Sequence, residues 1–297
     1  MEHSPHKSGS SREAEVRTVK GTFMRMNKIL TSTAFQILLA IAASSANATI
    51  FLDSQGHDPR QPMLSADMPW SSIGLVTSPD GDVDYDCTGT LIGKRLVLTA
   101  AHCMIDNDDP NKVILLKHGT FKPNYKNGHS TDSSPFIDVI VGSMDYEKNN
   151  SNDWAILVLK DDLGTKYGYM DIESSGDLTL PMSVETAGYG ADFKNGATAG
   201  MVTSCQIMDK LVGVYSESHS LAIFYDNNCT CASGDSGSPI FHLKNGTYTI
   251  ASILTNGGRA MNGDDIRTQD YSMEVSNAGI MNDTLIQAVQ AAKLKYE

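Results

Sequence analysis

The amino-acid sequence predicts an all-β protein, on three observations. Short apolar runs recur along the chain, and Gly, Asp and Asn separate them in the manner of turns between strands. Only one stretch, at the C-terminal end, has the spacing of a long helix. Strands without alternating helices indicate a sandwich or a barrel and argue against βα units. The chain has 297 residues, enough for a sizeable core in one domain or in two closely packed ones.

Residues 1–25 are polar and charged. Met26-Asn-Lys-Ile-Leu and the apolar run Ala34-Phe-Gln-Ile-Leu-Leu-Ala-Ile-Ala-Ala43 follow, and then the small residues Ala46-Asn-Ala48. A basic flank, an apolar run and small residues are the parts of a secretory signal peptide. The run falls short of the roughly 20 apolar residues that a membrane span needs. Residues 1–48 are therefore expected to be an extension and signal segment, with the mature chain starting near Thr49. The expected location is secreted or periplasmic, with no membrane attachment after cleavage.

The lead from Asp53 to Pro62 is too rich in turn formers for a regular element. Pro69–Val76 reads as the first strand, followed by apolar runs at Gly89–Ile92, Leu96–Leu98, Val113–Leu116, Ile137–Val141 and Ala155–Leu159. A second set follows Gly188: Met201–Ile207, Leu221–Tyr225, Ser238–Phe241 and Tyr248–Leu254. Asn282 or Asp283 can cap the terminal helix, with Leu285, Ile286, Val289 and Leu294 expected on one face.

Beyond residue 48 the chain carries 17 basic and 32 acidic residues, a net charge of −15. That balance argues against nucleic acid as a partner. All five cysteines, at 87, 103, 205, 229 and 231, lie in this part. In an exported protein they point to disulfides. Cys229-Thr-Cys231 lacks the two-residue gap of a zinc knuckle, and no second Cys/His pair matches it, so no metal or cofactor is expected.

Three stretches carry chemistry. In Cys231-Ala-Ser-Gly-Asp-Ser-Gly-Ser-Pro-Ile240, Ser236 stands between Gly234 and Gly237 with Asp235 before it. A serine hydroxyl attacks a carbonyl only when a base takes its proton and donors meet the oxyanion. Thr99-Ala-Ala-His-Cys103 and Asn152-Asp-Trp-Ala-Ile-Leu157 supply a histidine and an aspartate. The chain order is His102, Asp153, Ser236. An α/β-hydrolase would place its acid and histidine after the serine, and a glycine where Ser238 stands.

With these motifs, from about Asp58 to the C-terminus, the chain resembles trypsin/chymotrypsin-like serine proteases. Its pattern is most similar to the bacterial V8-type glutamyl endopeptidases. The resemblance implies two packed six-stranded β-barrels with a C-terminal helix, the first over 49–172 and the second over 173–297. It implies a monomeric endopeptidase acting on protein or peptide substrates, with His102 as general base, Asp153 as its orienting acid and Ser236 as nucleophile. Gly234 and Ser236 would offer the oxyanion N–H groups. Cys87 and Cys103 match the family's disulfide at the histidine loop. Cys229 matches a cysteine of related bacterial proteases, so Cys205–Cys229 is expected as the second bridge, with Cys205–Cys231 as the alternative. The competing reading is a catalytically inactive, protease-like binding domain.

The resemblance also places substrate-binding residues at Thr230, Cys231, Leu254, Thr255, Asn256 and Gly257. Thr230 stands where Lys/Arg-selective relatives have an acid, and Leu254 where Glu-selective ones have a histidine. A buried charge without a partner costs several kcal/mol, so uncharged, apolar P1 residues are expected and Glu is disfavoured. The usual Ile-Val-Gly-Gly start is missing too, which leaves the partner of Asp235 unassigned.

Overall fold

The computed structural model describes residues 52–80, 83–106, 112–146, 149–214, 221–257 and 276–297. The expected signal segment and the start at Thr49 lie outside them. The described chain is built mostly of strands, twelve of which form two rings.

The first ring is a closed barrel of β1 (Ile73–Asp80), β2 (Val83–Leu91), β3 (Leu96–Thr99), β4 (Thr120–Pro123), β5 (Ser134–Val141) and β6 (Ala155–Leu159), in the order β1-β2-β3-β6-β5-β4. β3 and β6 are apolar throughout and fully buried. Val97 and Leu157 join Val76, Phe121 and Val139 in the core of this barrel. Leu96, Leu98, Ile156 and Val158 face the other way and pack with Phe241 and Ile253 of the second ring and Leu285 and Val289 of the terminal helix. Val113–Leu116 gives no barrel strand. Its Ile114–Leu115 pairs only with Ile105–Asp106, beside the histidine loop.

The second ring uses β7 (Met182–Gly188), β8 (Gly200–Val214), β9 (Leu221–Asn227), β10 (Pro239–Lys244), β11 (Thr247–Gly257) and β12 (Ser276–Ile280). Their order is β7-β8-β9-β12-β11-β10, closed by pairing of β7 with β10. The two rings thus share one topology. Two short strands extend the second: Gln61–Pro62 on β8, and Asp171–Ile172 parallel to β11.

The terminal helix spans Asp283–Tyr296, and the Asn282 side chain caps it by accepting from Leu285 N–H at 2.9 Å. Leu285, Val289 and Ala292 are its buried face. Leu294 is a correction to the expected face. It lies nine residues after Leu285, half a turn round the helix, and is 90% exposed. Asn282 Nδ2 donates to Ser151 O at 2.6 Å and to Asn152 Oδ1 at 3.1 Å, which ties the helix to the first barrel just before Asp153.

Candidate active site

The ladder between β3 and β6 pairs Thr99 with Ala155. His102 follows Thr99 by three residues and Asp153 precedes Ala155 by two, so both emerge at the same end. His102 opens a short 3-10 turn, His102–Met104. Asp153, 7% exposed, accepts from the His102 backbone N–H at 2.9 Å, and its Oδ2 lies 2.8 Å from Nδ1. A carboxylate can only accept, so the Nδ1 proton points at Asp153 and Nε2 is left as the basic nitrogen. Burial opposes a positive charge on this imidazole. The Asp153 charge and hydrogen bond outweigh it and raise the His102 pKa above its ordinary value. The Tyr146 ring packs against it, with centroids 5.7 Å apart.

Ser236 lies in the loop that leads into β10. Gly237 N–H donates to Leu254 O at 2.7 Å and Leu254 N–H to Ser238 O at 2.9 Å, so pairing with β11 continues beyond the start of β10 to the residue after Ser236. Gly237 has φ +82°, and a Cβ there would sit 2.3 Å from both Thr88 O and Thr99 Oγ1. Only glycine lets the serine loop approach the histidine loop so closely. Thr88 N–H donates to Ser236 O at 2.9 Å, and Cys103 Sγ lies 3.9 Å from the same oxygen.

The peptide planes around Ser236 are fixed by their carbonyls. Ser233 O accepts from Ala191 N–H at 2.7 Å, and Asp235 O accepts from Ser238 N–H at 2.9 Å. In a trans peptide the N–H points opposite to the C=O. The Gly234 and Ser236 N–H groups are thereby turned away from those partners. Gly234, at φ +97°, supplies the backbone conformation this requires.

Two disulfides are present, Cys87–Cys103 and Cys205–Cys229, and Cys231 is buried and belongs to neither. Cys87, Cys103 and His102 lie within metal-ligand reach of one another, but both sulfurs are bonded in the disulfide and offer no thiolate. Of the expected substrate-binding residues, Thr230, Cys231 and Leu254 are buried, and the last two share one apolar cluster. Thr255, Asn256 and Gly257 continue strand β11. Asn256 and Gly257 pair with β12, while β10 reaches only Ile253 in the ladder.

Sequence reading missed Arg60 and Asp192. Arg60 falls in the turn-rich lead, yet its side chain is 3% exposed and ion-paired to Asp58 and Asp192. No motif marks either residue. Asp235, buried and without an assigned partner in the sequence, accepts from Ala232 N–H at 2.8 Å. Burial, against the pull of that bond and of the Arg60 charge, pushes its pKa up to about 7.

A family model described as Trypsin matches residues 60–272. Chymotrypsin-like elastase family member 1 of Macaca fascicularis is 25% identical over 201 residues, covering 62% of this chain and 73% of the relative. Among solved structures, a Glu endopeptidase in complex with MPD matches with a TM-score of 0.59 at 18% identity, covering 80% of this chain and 98% of that one. The protease Anisep from Arthrobacter nicotinovorans matches with a TM-score of 0.57 at 17% identity, covering 76% and 97%.

Proposed function

The chain belongs to the trypsin family, and on that premise we propose that it is a secreted serine endopeptidase working through an acyl-enzyme on Ser236. The observation that carries this reading is the Asp153–His102 pair, with Nδ1 engaged at 2.8 Å and Nε2 left basic. His102 takes the Ser236 proton as the hydroxyl attacks a substrate carbonyl, then returns it to the leaving amine. Asp153 stabilises the imidazolium in between. The developing oxyanion meets the Gly234 and Ser236 N–H groups, and losing one such donor costs about 10²- to 10³-fold in rate.

Substrate pairs as an added strand along Thr255–Gly257, whose edge away from β12 extends past the end of the β10 ladder. Thr230, Cys231 and Leu254 wall the P1 pocket and carry no full charge. The enzyme therefore favours uncharged, apolar P1 residues, although one structurally similar protein is a Glu endopeptidase. Burying such a side chain contributes roughly 25 cal/mol per Å².

A tagged fluorophosphonate tests the reaction class. Covalent labelling of Ser236, lost in Ser236→Ala with an unchanged melting temperature, is the expected result. A folded wild-type protein that never labels would instead be a protease-like binding domain.

A further inference from the structure

Away from His102, Asp153 and Ser236, the buried cation Arg60 is held between two carboxylates that reach solvent. Its Nε donates to both Asp58 oxygens at 3.1 Å and its Nη2 to Asp58 Oδ2 at 2.7 Å. On the other side Nη1 donates to Asp192 Oδ1 at 2.8 Å and Nη2 to Asp192 Oδ2 at 2.7 Å. Both carboxylates are held in the two-pronged geometry that a guanidinium, and not an ammonium, can satisfy. The guanidinium also packs 5.1 Å from the Phe193 ring centroid. Two carboxylates and a ring thus meet at one buried cation, and Asp192 and Phe193 tie the segment 190–193 to it.

That segment holds the serine loop. Ala191 N–H fixes Ser233 O, and Gly190 N–H is a hydrogen-bond donor to Asp235. The carboxylates of Asp192 and Asp235 flank Gly190, each with an oxygen 2.9 Å from where a Cβ of residue 190 would sit. The Arg60 charge acts on Asp235 across this gap and favours its ionised form. A continuous series of contacts therefore runs from Arg60 through Asp192 and residues 190–191 to Ser233 and Asp235. These two residues carry the carbonyls that orient the Gly234 and Ser236 N–H groups.

Arg60 reaches this position from upstream. Its own N–H donates to Asp58 Oδ1 at 3.0 Å, and the next residues, Gln61–Pro62, pair with Gly200–Met201 of β8. Cutting the chain after Arg60 would detach the cation from the strand that anchors it. The new terminus would be Gln61, and an N-terminal glutamine cyclises and loses its positive charge.

Resting on the serine-peptidase reading above, we propose that Arg60 is a positioning residue for the oxyanion N–H groups, acting through Asp192, and that the competent enzyme keeps its Arg60–Gln61 bond intact.

The test uses the secreted full chain and the variants Arg60→Gln, Arg60→Lys and Asp192→Asn, each checked for melting temperature. Kinetics on a peptide ester are paired with inhibition by a peptide aldehyde, which forms an oxyanion on Ser236, and by the corresponding product peptide. Expected are a fall in kcat of about 30-fold or more for Arg60→Gln with KM changed less than about threefold, and an equal loss of aldehyde affinity. Product-peptide affinity stays unchanged, and Arg60→Lys recovers part of the loss. If Arg60→Gln fails to fold, Asp192→Asn carries the same expectation, since Arg60 keeps Asp58. A folded variant with wild-type kcat and aldehyde affinity overturns the positioning role. Mass spectrometry of fluorophosphonate-labelled wild type should find chains that include Arg60, and label confined to chains starting at or after Gln61 overturns the intact-bond claim. Absence of label on every wild-type chain would overturn the serine-peptidase reading itself.

Discussion

The backbone N–H of Thr88, on β2, donates to the carbonyl of Ser236 at 2.9 Å, joining the first barrel to the Ser236 loop of the second. The Thr88 hydroxyl adds two more links. It donates to Gly234 O at 2.9 Å and accepts from Tyr189 N–H at 2.9 Å, while Thr88 O accepts from Thr99 Oγ1 at 2.7 Å. One fully buried residue thus links the histidine strand, through its carbonyl, to the serine loop and the turn after β7, through its hydroxyl.

Thr88→Val keeps the shape and removes the hydroxyl, leaving Gly234 O and Tyr189 N–H without that partner. The expected cost is about 1–3 kcal/mol of stability. Because the shifted groups flank the oxyanion position, the labelling rate should fall by roughly tenfold or more. Denaturant unfolding and fluorophosphonate kinetics measure the two effects. An undisturbed labelling rate in a destabilised protein would separate the latch from catalysis.

The pH profile follows from His102. Catalysis needs the neutral imidazole, and the Asp153 charge holds its pKa above the ordinary value. kcat/KM should therefore rise with pH and reach half its plateau above about pH 6.5. Asp153→Asn should cut kcat by about 10⁴-fold, since the amide can favour the wrong tautomer. It should also move the remaining acid limb downward.

Asp235 has a separate signature. Its pKa of about 7 lies above the ordinary 3.8, so between these values the folded chain holds a proton that the unfolded chain has released. Stability from this group is present at the acid end of the window and is lost as pH rises through it. In a Ser236→Ala background, which prevents self-digestion, the melting temperature should decline from pH 5 to 8. Adding Asp235→Asn should flatten that decline, whereas equal slopes would show that the carboxyl does not titrate there.

Thiol chemistry counts the bridges. With five cysteines and two disulfides, one thiol should react with an aromatic disulfide reagent in denaturant without reduction. In the native state Cys231, 3% exposed, should stay unreactive. Replacing both Cys87 and Cys103 by serine should cost about 3 kcal/mol, because the bridge closes a loop of 16 residues.

A P1-varied peptide library decides the pocket. Leu, Phe or Ala at P1 should exceed Glu, Lys and Arg in kcat/KM by at least tenfold, a difference of about 1.4 kcal/mol. The reverse ranking would place a counter-charge in the pocket that Thr230, Cys231 and Leu254 do not supply.

The motifs around His102, Asp153 and Ser236 were legible because each is a local string of distinctive residues. The strands of the first barrel were legible where burial on both sides makes them apolar, as in Leu96–Leu98 and Ala155–Leu159. β7 was not. It contains Ser183, Glu185 and Thr186, and its buried positions Val184, Thr186, Ala187 and Gly188 include one large apolar residue only, so no apolar run marks it. Most of the polar stretch of β2 was missed for the same reason. Two matching rings could not be read from strand counting, since register is set by pairing between distant segments. Arg60 was invisible because its meaning depends on Asp192, 132 residues later in the chain.

The bond from Asn282 to Asn152 joins residues 130 positions apart, and it gives the molecule a clock. At typical synthesis speeds, on the order of ten seconds separate the making of the aspartate loop from the arrival of the helix cap that braces it. Ser236 also follows Asp153 by 83 residues. Until Asn282 is made, a nascent chain lacks the brace on its aspartate loop, and until Ser236 is made it lacks the proposed nucleophile.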